Sequence, residues 1–347
     1  MSLQIRLRRM LALAAMLAAP LAGAAPAGEA LERAAVAVRA PGHAVLLGAA
    51  RAGSRIVAVG ERGIVALSDD GGRAWRQASV PTSVTLTAVR FAGARRGWAV
   101  GHGGVVLASD DGGERWTRCL DGRRAAQIVL EAARAAGDAR AIAEAERFVA
   151  DGPDKPLLDL LLLPGPRLLA VGAYGLALTS EDGGQSWHSW MRRLPNPKGL
   201  HLYAARQRGQ VLLLAGEQGL VLLSTDGGQN FRRVETPYKG TFFSAELPGE
   251  QDIVLAGLRG NAWRSADGGA NWTPIAAPMP ASITATALGA DGRLLAANQA
   301  GFVMALHGER LVPLNATPLP PLNGLLMQAG AVLALSIHGA IPVATRP

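Results

Sequence analysis

The sequence predicts an all-β fold, a seven-bladed β-propeller of four-stranded blades with a short two-helix insertion, and three observations carry that prediction. An eight-residue turn pattern occurs five times, an apolar hairpin with a glycine-containing tip occurs seven times, and both recur about every 40 residues. A module of that size cannot bury its apolar faces alone, whereas four-stranded sheets set radially bury each face against a neighbour. Composition agrees. With 49% apolar and 18% charged residues among 347, and with 43 Gly and 21 Pro, a fully disordered chain is excluded and a helical bundle is disfavoured.

At the start of the chain, Arg6, Arg8 and Arg9 precede an apolar run from Met10 to Leu21 and the small residues Ala22-Gly23-Ala24-Ala25. This layout predicts a secretory signal peptide over residues 1–25, leaving 26–347 as the propeller in the periplasm. The competing reading is a membrane anchor, but the run is shorter than the ~20 residues a bilayer needs and contains Pro20. Arg8-Arg9 leaves twin-arginine export open beside general secretion. Without these three arginines the formal net charge falls from +8 to +5, which permits attraction to anionic surfaces and implies no nucleic-acid partner. Further on, Ala34-Ala35-Val36-Ala37-Val38-Arg39 alternates like a strand, while the last hairpin ends at Pro347 without room for a fourth strand. Residues 31–40 are therefore expected to close the ring as the outer strand of blade 7.

The repeated turn reads SDDGGRAW, SDDGGERW, SEDGGQSW, STDGGQNF and SADGGANW. Ser68, Ser109, Ser180, Ser224 and Ser265 can hydrogen-bond across the turn, and Asp70, Asp111, Asp182, Asp226 and Asp267 can accept from the amides that follow. The glycine pair admits positive φ. Trp75, Trp116, Trp187, Phe231 and Trp272 supply a ring to bury against a neighbouring strand or blade. Calcium binding is the alternative use of these acids, but one carboxylate per turn supplies too few oxygen ligands, so no metal is expected.

Ahead of each such turn lies a hairpin, as in VAVGERGIVALS, and two weaker copies follow from Leu294 and Val332. In a four-stranded meander these hairpin tips share one face of the ring, and the acidic turns share the other. The tips vary: Glu61-Arg62, His102-Gly103, Ala173-Tyr174, Glu217-Gln218, Leu258-Arg259, Gln299-Ala300 and Ile337-His338. Varied side chains on a rigid platform suit recognition, which makes Arg62, His102, Tyr174, Gln218, Arg259 and His338 the candidate partner-binding residues.

One interval between turns is about 30 residues longer than the rest. Residues 121–155, between blades 2 and 3, are rich in Ala, Glu and Arg, and Asp121 and Asp138 can cap two helices. Ile128 with Ala132, and Ile142 with Ala145 and Val149, give each helix an apolar stripe to dock. The pair is either a decoration or a partner-binding lid, and it emerges on the face of the variable tips.

Cys119 is the only cysteine, so no internal disulfide forms. Its place at a strand end reads as a small buried hydrophobe rather than a nucleophile. The six histidines form no HExxH or other close ligand pair, and neither GxSxG nor a phosphate-cradling P-loop occurs. No catalytic residue and no cofactor are expected.

The serine, aspartate, double-glycine and aromatic turn resembles the Asp-box, or bacterial neuraminidase repeat. Together with the preceding VGxxG hairpin it most resembles the photosystem II stability and assembly factor family, strongly over residues 43–305. That resemblance implies an exported, non-catalytic propeller that binds protein and assists assembly or stability of a membrane protein complex. In a non-photosynthetic bacterium the partner it implies is another envelope complex, such as an export permease. The alternative is a sialidase-like glycoside hydrolase, since those enzymes also carry Asp-boxes. They need an arginine cluster, a tyrosine nucleophile with a glutamate, and an aspartate; Tyr174, Tyr203 and Tyr238 stand in no such context.

Overall fold

Each strand runs between the glycine-rich turns that the repeats announce. The structure, a computed structural model, describes residues 29–328 and 330–344, so the signal peptide expected over residues 1–25 lies outside it. Among the described residues the strands form seven antiparallel sheets, six of four strands and one of three. Blade 1 shows the plan, with Leu46–Ala52, Arg55–Gly60, Val65–Ser68 and Arg76–Gln77 pairing in chain order. Second and third strands are apolar on both faces because each blade is sandwiched: all of Val211–Gly216 and Val221–Ser224 in blade 4 are buried.

The innermost strands are Leu46–Ala52, Leu86–Ala92, Leu157–Leu162, Leu202–Arg208, Phe242–Glu246, Ile283–Leu288 and Leu322–Gln328, each packed beside the next. The ring closes because Leu46–Ala52 also packs against Leu322–Gln328. Every innermost strand carries a register shift at the same place, where the ladder skips Leu47, Thr87, Leu158, Tyr203, Phe243, Thr284 and Asn323. Such bulges re-aim side chains. Three of these side chains stitch one blade to the next: the Thr87 hydroxyl donates to the Leu157 carbonyl (2.8 Å), Thr284 to Leu322 (2.7 Å) and the Asn323 amide to Leu46 (3.1 Å).

The structure corrects the expectation for residues 31–40. Among the described residues blade 7 has three strands, Leu322–Gln328, Ala331–Ser336 and Gly339–Ala344, and none is added at its outer edge. Instead Glu29–Glu32 (α1) forms one helical turn and the following residues cross blade 1, where the Ala35 amide donates to the Val80 carbonyl (3.1 Å) and the Val38 amide to Gln77 Oε1 (2.9 Å). Two physical reasons favour this course. Leu31 is buried against Gly103 in a deep apolar site, and Pro342 leaves the outer strand of blade 7 one donor short. The amino-terminal segment still helps to close the ring, since Pro41–His43 seats against the last hairpin with Gly42 at Gly339, where a Cβ would lie 2.0 Å from the Gly42 carbonyl oxygen.

Residues 121–155 fold into two helices, α2 (Gly122–Ala135) and α3 (Ala139–Asp151). Asp121 accepts from the Arg123 and Arg124 amides and Asp138 from the Ala141 amide. α2 buries Ala125, Ile128, Val129 and Ala133 in a cluster with Val106 and Leu120 of blade 2 and Leu178 and Trp187 of blade 3. The insertion is thus wedged over the junction of these two blades.

Candidate functional site

The two faces of the ring are built differently. On the first, the five Asp-boxes are nearly identical: each Ser hydroxyl lies 2.7 to 2.9 Å from its Asp Oδ1 and accepts from the amide of the second glycine. Each carboxylate also accepts from the amides that follow, and all five are held below the usual aspartate value. For Asp226 and Asp267 the backbone amides of Asn230 and Asn271 are the leading cause and the value falls to about 2. Trp75, Trp116 and Trp187 donate from Nε1 to the carbonyl of the second glycine in their own turn (3.0, 2.9 and 3.1 Å). Trp272 instead reaches the Glu235 carbonyl, and Phe231 packs edge-on against Trp190. Every Asp-box side chain is engaged within the protein's own framework.

On the opposite face the seven tips share one scaffold. The residue that follows the second strand of each blade donates its amide to a carbonyl just before the innermost strand of the same blade, from Glu61 to Val45 (3.0 Å) in blade 1 through Ile337 to Pro321 (3.3 Å) in blade 7. At Gly60 the backbones approach so closely that a Cβ would lie 1.9 Å from the Val45 carbonyl oxygen. The next residue but one is left-handed in five tips: Arg62 (φ 51°), Gly103 (67°), Tyr174 (55°), Gln218 (51°) and Arg259 (57°). Among the described residues these four side chains are the only non-glycine ones at positive φ. Glycine adopts this conformation freely, whereas other residues give up about 1 kcal/mol.

The six candidate residues Arg62, His102, Tyr174, Gln218, Arg259 and His338 are all exposed on this face. Blade 2 is the exception in its surroundings, because Leu31 covers Gly103 and Gly122 packs on Gly104. The guanidinium groups of Arg62 and Arg259 have no hydrogen-bond or ion-pair partner among the described residues, whereas the nearby acids serve the framework: Glu61 accepts from the Val45 amide and Glu217 from the His201 amide.

Tyr174 also belongs to an aromatic line that sequence spacing does not reveal. Phe148 on α3 meets Tyr174 edge-on (6.1 Å between centroids), Tyr174 meets His201 (5.0 Å), His201 lies beside Tyr203 (6.3 Å), and Tyr203 meets Phe243 (5.3 Å). The buried Lys155 ammonium sits over both Phe148 and Tyr174 and bonds Asp151 and Asp154. The line runs from the insertion to the central channel, since Tyr203 and Phe243 occupy the bulge positions that line it.

Within the channel, sequence reasoning missed a girdle of charge. Asp159 accepts from Arg90 (2.7 Å) and Arg206 (2.8 Å), Arg206 reaches Glu246 (3.4 Å), and Glu246 accepts from the Thr286 hydroxyl (3.1 Å), which lies 2.7 Å from that of Ser244. These residues come from innermost strands of blades 2 to 6. A charged residue within otherwise apolar strands such as TAVRF, LLDLL and FSAEL is the one local signal that points to them.

Comparison with known proteins follows the same architecture. The family model for photosynthesis system II assembly factor YCF48 matches residues 32–142 and 154–310, and the chain belongs to that family. The gap in the match falls on α3. No curated protein matches the sequence. Among solved structures, a YCF48 bound to D1 peptide is similar at 14% identity and a TM-score of 0.65, over 91% of this chain and 97% of that one. YCF48 from Cyanidioschyzon merolae gives 15% identity and 0.63, over 88% and 97%. The WD40 propeller domain of Doa1 gives 10% and 0.62, over 91% and 97%, so these likenesses define the propeller fold.

Proposed function

We propose that this protein is an exported, non-catalytic propeller of the periplasm that grips a membrane protein through its tip face and helps a membrane complex assemble or stay intact. Family membership supports a protein-binding assembly role, and a similar propeller is seen with a peptide of D1 bound to it. In a host without photosynthesis the same surface would serve another envelope complex, an export permease being the leading case.

The observation that carries this reading is the left-handed tip. Glycine would fill that position without strain, as Gly103 does under Leu31, yet the other left-handed tips hold Arg62, Gln218 and Arg259, and Tyr174, which packs on Phe148 and His201. Arg62, Gln218 and Arg259, held in a costly conformation and pointed at solvent, have a use outside the fold. Chemistry at the channel is the weaker reading, because burial and then the charge of Glu217 push the Tyr203 hydroxyl above its ordinary value, away from an ionised nucleophile.

Combining Arg62→Gly, Gln218→Gly and Arg259→Gly removes three side chains while relaxing the backbone. The variant should melt within a few degrees of the wild type and lose at least tenfold in co-purification of its envelope partner. Unchanged co-purification from a folded variant would refute the tip face as the contact. Removing residues 122–153 is a second arm, feasible because Gly122 and Pro153 touch; capture should fall there too. Cleavage of a fluorogenic sialoside by the wild type would overturn the non-catalytic assignment.

A further inference from the structure

The central channel offers a site of its own that shares only Gln299 with the tips. A cavity of about 360 Å³ opens among the innermost strands, room for on the order of a dozen water molecules. Its walls differ. Blades 1 and 7 contribute Gly48, Ala49, Gly324 and Leu325, which carry no polar side-chain atom, and Asn323, whose amide donates to the Leu46 carbonyl, while blades 2 to 4 contribute Arg90, Asp159, Tyr203 and Arg206.

The hydrogen-bond inventory of the polar wall is unbalanced toward donors. Asp159 is saturated: Oδ1 accepts from Arg90 Nη2 and the Leu160 amide, and Oδ2 from Arg206 Nη1 and the Ala205 amide. Glu246 Oε1 takes Arg206 Nε and the Thr286 hydroxyl. The arginines are not saturated, because a guanidinium has five N–H donors. Arg90 engages only Val89 and Asp159, leaving Nε free, and Arg206 engages Asp159, Ala205 and Glu246, leaving Nη2 free among the described residues. Tyr203 Oη likewise has no hydrogen-bond partner there. Arg90 keeps a third of its side chain accessible, so these donors face a space that solvent and solutes enter.

A cavity with free guanidinium and phenol donors on one wall, its one lining acid, Asp159, already saturated, and a largely apolar wall besides is complementary to an acceptor-rich anion with a short hydrocarbon part. We infer that the channel binds a small aliphatic carboxylate, received by Arg90, Arg206 and Tyr203, with its hydrocarbon portion along Ala49 and Leu325. The carboxylate has two possible sources, a free acid or an acidic side chain of the bound partner. Arginine suits it because its planar fork matches two carboxylate oxygens. The inference is separable from the tip-face reading, since Gln299 is the one tip residue in the cavity lining and Arg62, Tyr174, Gln218 and Arg259 lie outside it.

The test is calorimetric titration of the purified chain with hexanoate, hexanamide, and the pentapeptide Ac-Ala-Ala-Glu-Ala-Ala-amide beside its Gln counterpart. Hexanoate should bind and hexanamide should not. Arg90→Gln should weaken hexanoate at least tenfold and Tyr203→Phe about threefold, with melting temperatures near that of the wild type. The Arg62→Gly variant should bind it unchanged, which separates failure here from failure at the tips. Binding of the Glu peptide alone identifies the source as a partner side chain, and binding of hexanoate alone identifies a free acid. Equal binding of hexanoate and hexanamide, no binding by any carboxylate probe, or wild-type affinity in folded Arg90→Gln overturns the inference.

Discussion

The junction of blades 2 and 3 and the seam between blades 7 and 1 solve the same problem with unequal means. At the first junction, eighteen buried apolar residues form one cluster, several of them from α2, and Ala145 of α3 joins them. At the seam the cluster has five: Leu46, Ile56, Ala58, Leu333 and Leu335. Both junctions carry the same inter-blade stitch at the bulge, Thr87 to Leu157 in one and Asn323 to Leu46 in the other. The seam adds the docking of Pro41–His43 on the last hairpin, and among the described residues no strand is shared across it. Among the described residues, propeller closure uses no exchanged strand. A shape-matched sheet face, one side-chain stitch and a docked turn hold the ends of the chain together.

The largest expected difference comes from the cores. Leu335→Ala at the seam should cost about 2–5 kcal/mol in denaturant unfolding, since a fully buried leucine leaves a cavity that rigid sheets fill poorly. Ile128→Ala in α2 should cost less, because a docked helix can settle into the space. An equal or greater loss at Ile128 would make the insertion, rather than the seam, the critical joint.

Next in size is an Asp-box at the braced junction. Asp182 accepts from the Ser180 hydroxyl, the Gln185 and Ser186 amides and the Ser186 hydroxyl, so Asp182→Ala should lower stability by about 1–3 kcal/mol while partner capture by the folded fraction stays unchanged. Loss of capture at wild-type stability would move function to the Asp-box face. The two stitches should then differ by location. Asn323→Ala and Thr87→Val each remove one hydrogen bond, worth about 1 kcal/mol. Hydrogen exchange should nonetheless quicken only around Leu46 and Leu335, because the braced junction has apolar contacts in reserve.

Acid produces the smallest effect and sharpens the contrast. Carboxylates held below their unfolded value stabilise above about pH 4, and that stability is lost as pH falls toward the folded value. Asp226 and Asp267 titrate at about 2, so amide exchange in the turns of blades 4 and 5 should accelerate between pH 4 and 2. Blade 7 has no Asp-box and should not share this acceleration; a uniform response along the chain would contradict the local origin of the effect.

Much of this architecture was legible in residues close together in the chain. Ser68 and Asp70 lie two apart, and Gly60 and Gly63 bracket one tip, so their hydrogen bonds depend on local geometry that spacing already implies. Asp121 and Asp138 likewise marked both helix starts. Two features were decided by the closed ring. Alternation in residues 34–39 reads as a strand anywhere, but Leu31 found its burial at Gly103, a residue distant in sequence, and that contact carried the segment across blade 1. The channel girdle joins Arg90, Asp159, Arg206 and Glu246 across separations of 40 residues and more. Each looks like an isolated charge in an apolar strand until curvature brings successive innermost strands together. Short-range chemistry is written in the chain itself, whereas which distant charges meet, and which edge stays open, depends on the number of blades and the way the circle shuts.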